Sequence, residues 1–83
     1  MFYLYIVECR DGTLYTGSTR DVETRLRQHN HGTGAKYTRG RRPVRLVHTE
    51  TFKTRGDALR REYSIKRWSR EKKQKLITAG QTD

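Results

Sequence analysis

A carboxylate on the apolar side of a helix has either a partner or a task, and Glu62 is such a carboxylate. On a helical wheel with Ala58 at the origin, Ile65 falls at about 340°, Glu62 at about 40° and Leu59 at about 100°. Two readings fit this position. Glu62 pairs with an arginine at the edge of the sector, as charged groups at a buried boundary usually do. Or it holds a hard, oxygen-seeking cation such as Mg²⁺, which accepts one or two carboxylates and fills its shell with water and phosphate oxygens.

Arg25 and His29 stand at i, i+4 on an earlier helix and so point the same way, beside its buried stripe. A solvated flank and a functional pair both fit them. His31 would face elsewhere, so His29 and His31 are not expected to chelate. Tyr3, Tyr5 and Tyr15 fall on neighbouring strands, where tyrosines pack more often than they react.

Elimination narrows the acids, which number nine. Asp11 belongs to a turn, and Asp21, Glu23, Asp57 and Glu71 to first turns of helices, where the helix dipole favours anions. Asp83 is terminal. Glu8, Glu50 and Glu62 have no such local reason.

The basic residues outnumber them, 19 to 9, for a net charge of +10 over 83 residues. Such a balance in a domain with aromatic residues to pack points to a polyanionic partner. Lys36, Arg39, Arg41 and Arg42 lie in one stretch with no acid to offset them. Arg60, Arg61, Lys66, Arg67, Arg70, Lys72, Lys73 and Lys75 follow on helices. Phosphate contact explains a single-sign segment better than solubility does.

Other chemistries lack their residues. Cys9 is the lone cysteine, so no internal disulfide forms and no Cys/His zinc set is at hand. The glycines do not make a phosphate-cradling loop, and no Ser/His/Asp arrangement is indicated. No run reaches the ~18 apolar residues of a membrane span. No helix pairs a broad apolar face with a basic one, which disfavours docking on an anionic membrane. Without a leader pattern the chain reads as cytoplasmic.

These residues need a scaffold, and 31% hydrophobic content supports one thin core in a single domain, residues 1–83. Phe2 to Val7 is a strand apolar on both parities, so helices on both faces of its sheet, or a cleft on one, are expected. Arg10-Asp11-Gly12 turns into a second strand from Thr13 to Gly17. A two-residue loop would set Tyr15 opposite Glu8; a three-residue loop with left-handed Gly12 would set it opposite Val7, on the face of Tyr5. A helix from about Asp21 to His29 buries Val22 and Leu26, and Gly32 to Pro43 is a loop. A third strand runs from Val44 to about Thr51. Thr54 caps a helix through Trp68, and Ser69 opens a last helix ending near Gly80. The order is ββαβαα, an α+β sandwich with a three-stranded antiparallel sheet.

In that order the chain resembles the GIY-YIG nuclease superfamily, in its small single-domain bacterial branch. Tyr3-Leu4-Tyr5 stands where the family has Gly-Ile-Tyr, and Tyr15-Thr16-Gly17 where it has Tyr-Ile-Gly. Arg25-x-x-x-His29, Gly34-Ala35-Lys36-Tyr37-Thr38, Arg42-Pro43-Val44 and Ala58-Leu59-x-x-Glu62 follow in register, so the resemblance covers residues 2 to about 77. Tyr3 and Thr16 depart from the motifs, and no asparagine follows Glu62, as it does in some members.

The resemblance implies hydrolysis of phosphodiester bonds, in DNA first, with one divalent ion, Mg²⁺ or Mn²⁺. Glu62 would be its sole protein ligand and Arg25 the clamp on the pentavalent phosphate. Tyr5 or Tyr15 would be the base, with a pKa lowered by surrounding cations, and His29 would orient base or phosphate. That scheme favours the three-residue hairpin loop. Lys36, Arg39, Arg41, Arg42, Arg61, Lys66 and Arg67 would grip nucleic acid, and a monomer is the default. The alternative is a binding module of the same fold that is catalytically silent or cuts only within a complex.

Overall fold

The uncharged run at the N-terminus forms strand β1 (Phe2–Cys9), and its alternation decides the architecture. Leu4 and Ile6 point to one face, and Tyr5, Val7 and Cys9 to the other; all five are buried. The structure, a computed structural model, describes residues 1–80, and Asp83 lies outside them.

At the end of β1, the Asp11 carboxylate accepts from the Thr13 amide at 3.1 Å and the Thr13 hydroxyl at 2.7 Å. Gly12 takes a φ of 85°, the left-handed conformation that glycine enters without a Cβ clash. The Cys9 amide donates to the Thr13 carbonyl at 2.8 Å, closing the three-residue loop. Strand β2 (Leu14–Thr19) then pairs Tyr15 with Val7 and Gly17 with Tyr5. Tyr5 and Tyr15 therefore share a face.

Strand β3 (Val44–Phe52) pairs with the other side of β1, giving the antiparallel order β2-β1-β3. Each face is covered by helix, as the two-sided apolar pattern of β1 requires. Under Tyr5 and Val7 lies α1 (Val22–His31), with Leu26 packed into their cluster. Asp21 caps it by accepting from the Thr24 amide, and Gly32 closes it with a φ of 86°. Over Leu4 and Ile6 lie Ile65 of helix α3 (Arg55–Lys66) and Ile77 of helix α4 (Arg70–Gly80). Each such aliphatic side chain contributes about 1.5–3 kcal/mol when fully buried. Thr54 caps α3 through the Asp57 amide.

Several expectations need correction. The segment from Gly32 to Pro43 is not all loop: Lys36–Arg39 makes a single helical turn, α2, so the order is ββααβαα. β2 runs on to Thr19, and α3 stops at Lys66, where the amides of Arg67 and Trp68 close the turn onto Ser64 and Ile65. Leu59 is 43% exposed, so the apolar sector of α3 is narrower than its wheel suggests. On α1 the fully buried residue is His29, while Val22 and Leu26 are half-buried. Seven residues make two turns, which brings His29 back to the direction of Val22. The basic segment has an acid after all: Asp11 lies 3.1 Å from Arg41. Among the described residues no helix is long and apolar enough to cross a membrane.

Candidate active site at the edge of the sheet

The site is built around consecutive residues of the edge strand β2. Gly17 pairs with Tyr5, and having no side chain it leaves room for the Tyr5 ring to lie across it. A Cβ there would come within 2.5 Å of the Tyr5 hydroxyl oxygen. The next residue, Ser18, points to the opposite face and donates to Glu62 Oε1 at 2.6 Å. Tyr5 and Glu62 thus reach the edge from the two faces of the sheet.

Behind Tyr5 stands a buried polar file. Its hydroxyl lies 2.8 Å from His29 Nε2, and His29 Nδ1 lies 2.8 Å from Thr38 Oγ1. The Thr38 hydroxyl in turn donates to the Ala35 carbonyl at 3.1 Å. Both His29 and Thr38 are fully buried, so the solvated-flank reading of His29 is excluded. Gly34 lets the chain close over the imidazole, since a Cβ there would stand 2.6 Å from His29 Nδ1. The helical turn missed from sequence is what carries Thr38 to this place.

Charge tunes the file. Burial, then the Arg25 guanidinium, holds the His29 imidazole below its usual pKa and keeps it neutral. Burial, Tyr15 and Glu62 push the Tyr5 phenol well above its ordinary value, against the pull of Arg25. The expected lowering of a base tyrosine by cations is not seen at Tyr5, because desolvation outweighs Arg25. Arg25 is half-buried, and among the described residues its guanidinium has no hydrogen bond or ion pair.

Glu62 is partnered, and by a lysine rather than an arginine. Lys66 Nζ stands 2.9 Å from Oε2, and the carboxylate side chain is 18% exposed. No cluster of three or more His, Cys, Asp or Glu side chains occurs among the described residues. The donor set therefore suits only a hard cation content with one carboxylate and water. Glu62 fits that demand: it is accessible, acidic and already faced by a positive charge at cation distance.

Tyr15 connects the site to the surface. Its ring meets His29 edge-on at 5.3 Å and stacks on Tyr37 at 5.7 Å, with Lys66 Nζ 5.4 Å from its centroid. Tyr37 is 40% exposed and carries Arg41 over its ring at 4.3 Å. A cleft lined by Thr13, Leu14, Tyr37, Arg70 and Lys73 borders this stack. Burial and the nearby Lys66 hold Lys73 below its ordinary pKa.

The basic residues divide in two. Arg41 is tied to Asp11 and to the Tyr37 carbonyl, and Arg42 to the Arg39 and Asn30 carbonyls. Arg61 forks onto Glu50 at 2.8 and 3.1 Å and lies over Trp68. Glu8 and Glu50, left without a reason by the sequence, have their partners in Arg45, and in Arg61 and His48. Lys36, Arg39 and Arg67 are exposed. Arg39 lines a basic cavity with Arg10 and Arg42. Sequence reasoning did not give Ser18 or Thr38 a role at the site, and took Lys73 only as one of several basic helix residues open to phosphate contact. Only Thr38, within the Gly34 to Thr38 motif, left a signal that could have found it.

The GIY-YIG catalytic domain model matches residues 1–75. A UPF0213 protein of Staphylococcus saprophyticus is 59% identical over 94% of this chain and 95% of its own. A UPF0213 protein of Haloquadratum walsbyi is 64% identical over 94% of this chain and 88% of its own. The solution NMR structure of a UPF0213 protein from Bacillus halodurans superposes with a TM-score of 0.63. It shares 51% identity and covers 98% of this chain and 88% of that one. The solution NMR structure of a protein from E. faecalis gives 0.62 at 45% identity, with the same coverage.

Proposed function

The chain belongs to the GIY-YIG catalytic domain family, and from that premise we propose that it is a metal-dependent endonuclease acting on DNA. The observation that carries the reading is the meeting of Tyr5, Tyr15, His29, Arg25 and Glu62 around one strand edge. They come from four elements and both faces of the sheet, which packing alone does not demand.

The roles follow from the geometry. Arg25, free of a partner and planar, clamps two phosphate oxygens and stabilises the charge that builds on the pentavalent phosphorus. Tyr5 is the base, because its hydroxyl lies against a neutral imidazole. Burial favours the neutral phenol at Tyr5, so it relays. The attacking water gives its proton to the Tyr5 oxygen as the phenolic proton passes to His29 Nε2. The hydroxide forms the new P–O bond as the P–O bond to the leaving oxygen breaks. The bond's electron pair leaves on that oxygen, which takes a proton from water, and His29 returns its proton to solvent through Tyr5. An arriving phosphate also neutralises Arg25, which lifts its penalty on a charged His29. Tyr15, whose hydroxyl makes no hydrogen bond to another described residue, is left to contact the phosphate or the water.

Glu62, steadied by Ser18, would hold Mg²⁺ or Mn²⁺. The ion supplies Lewis-acid stabilisation of the leaving oxygen when bound. Lys36, Arg39, Lys66 and Arg67 grip the nucleic acid, with Arg41, Arg42 and Arg61 contributing less because their guanidinium groups serve the fold. The enzyme works as a cytoplasmic monomer.

A second reading, a binding module that does not cut, is favoured by one observation. Glu62 has a partner on each oxygen, a closed arrangement that needs no metal. Incubation with supercoiled plasmid and branched DNA separates the two, with Mg²⁺ or Mn²⁺, with chelator, and alongside Glu62→Ala. Metal-dependent nicking that Glu62→Ala loses supports the nuclease. Nicking no greater than that of Glu62→Ala on every substrate leaves the binding module.

A further inference from the structure

We propose that Thr38 is a positioning residue of this site: by fixing which nitrogen of His29 carries the proton, it makes His29 the acceptor for Tyr5. The inference rests on the nuclease reading for its consequence, though not for its geometry.

A neutral imidazole has one N–H and one lone pair, and only the lone pair can receive a proton. Tyr5 would pair with either tautomer, since a phenol both donates and accepts. The choice is therefore made at the other nitrogen. There the partner is Thr38 Oγ1, 2.8 Å from Nδ1. A hydroxyl has one proton, and the Ala35 carbonyl, 3.1 Å from Thr38 Oγ1, can only accept it. Thr38 can then only accept from His29, so Nδ1 carries the hydrogen. Nε2 keeps its lone pair and receives the Tyr5 hydroxyl at 2.8 Å.

The surroundings enforce the choice. His29, Thr38 and the hydrogen bonds between them are buried, so water offers Nδ1 no substitute partner. Gly34 brings backbone against the imidazole on the same side. The Ala35 carbonyl belongs to the residue that caps α2, a helix of one turn that holds itself poorly. One hydroxyl thus orders the turn and orients the base. The turn that the sequence suggested as a phosphate-gripping loop serves its buried side to proton transfer and its exposed side, Lys36 and Arg39, to the substrate.

The test replaces Thr38 with Val, which keeps the shape and removes the acceptor, and with Ser, which keeps the acceptor. Long-range ¹H–¹⁵N correlation spectra report the protonated nitrogen of His29 directly, in full-length protein without DNA or metal. His29 should be the Nδ1–H tautomer in the parent and in Thr38→Ser, and shift to Nε2–H in Thr38→Val. Plasmid cutting should fall by roughly 10²-fold in Thr38→Val, the scale of a lost general base, and be restored in Thr38→Ser.

An Nε2–H parent, or an unshifted Thr38→Val, overturns the proposal. So does a shifted Thr38→Val that cuts at the parental rate. A parent with the expected tautomer and shift but no cutting upholds the positioning geometry and overturns the nuclease reading instead. If Thr38→Val fails to fold, an Nδ1–H parent retained in Thr38→Ser upholds the assignment, and Nε2–H in either overturns it.

Discussion

Gly17 of β2 lies beneath the ring of Tyr5 of β1, so close that a Cβ would stand 2.5 Å from the hydroxyl oxygen and 2.7 Å from Cζ. Its φ is not in the left-handed region, so the constraint is space and not backbone freedom. Gly17→Ala should force Tyr5 off His29 and overpack the site, at a cost of about 1–3 kcal/mol. Thermal denaturation should show the loss, and cutting should fall further than stability explains. Parental melting temperature and parental activity in Gly17→Ala would show that Tyr5 does not need its place.

His29 gives stability a pH dependence of known sign. Its pKa is depressed in the fold by burial and by Arg25, while the unfolded chain titrates near 6.5. Below that value the unfolded state binds a proton that the folded state refuses, so stability must fall as pH drops. The fall begins at about pH 6.5 and continues towards the folded pKa. Asp11, Asp21, Glu50 and Asp57 are depressed carboxylates and contribute their own loss only below about pH 4.5. Melting temperature measured from pH 7 to pH 5 should decline in the parent and be flatter in His29→Gln. Parallel slopes would mean that His29 is not the titrating group.

What was legible in the sequence was what alternation and spacing encode. β1 carried its two-sided burial in plain view, and the turn residues Asp11 and Gly12 defined two possible registers for Tyr15, of which the site's chemistry selected one. Asp21 and Thr54 announced their helices by capping. The losses were long-range. From the helix alone His29 fitted a flank as well as a functional place, because a histidine's burial depends on polar partners, and Thr38 lies nine residues away on a turn too short to leave a periodic signature. Ser18 as a partner of Glu62 required β2 and α3 to be docked, which no local pattern states, whereas Lys66 stands four residues on in the same helix and was within reach of a local reading. Arg61 looked like a phosphate grip until β3 brought Glu50 beneath it.

Thr16 offers a gain in stability. Its hydroxyl is buried, 2% exposed by residue, and Oγ1 has no hydrogen-bond partner among the described residues. It pairs with Ile6 on the face packed by Ile65, where the family motif carries an isoleucine. Burying an unsatisfied hydroxyl costs about 1–3 kcal/mol, and Val has nearly the same volume. Thr16→Val should raise the denaturation midpoint without changing the denaturant slope. A lowered midpoint would reveal a partner for that hydroxyl.

Two cations a short distance apart should behave differently towards DNA. Arg41 is held by Asp11 and Tyr37 and serves the fold, whereas Lys73 lines the cleft beside Tyr37 and makes no ion pair among the described residues. Lys73→Ala should weaken binding of a labelled oligonucleotide and reduce the slope of log affinity against log salt by about 1. Arg41→Ala should lower melting temperature and leave that slope nearly unchanged. Equal slopes for Lys73→Ala and the parent would remove Lys73 from the path of the phosphates.

Lys66 sits where a metal would bring its charge, 2.9 Å from the Glu62 carboxylate. A divalent ion must therefore displace an ammonium as well as its own water, and the lysine, 45% exposed on a flexible stem, can swing away at little cost. Partly exposed pairs of this kind are worth up to about 1 kcal/mol, so removing the competitor should tighten metal binding by about 5-fold. Mn²⁺ titration followed by paramagnetic broadening of the Ser18 and Glu62 amide signals measures this without DNA or turnover. Lys66→Met should broaden at lower Mn²⁺ than the parent, and Glu62→Gln should not broaden at that site at all. Cutting by Lys66→Met should nonetheless fall, because the displaced ammonium is also a phosphate contact. Metal affinity that weakens in Lys66→Met would mean the lysine organises the carboxylate for the ion instead of competing with it. That result would leave Glu62 as the ligand and reverse the role of its neighbour.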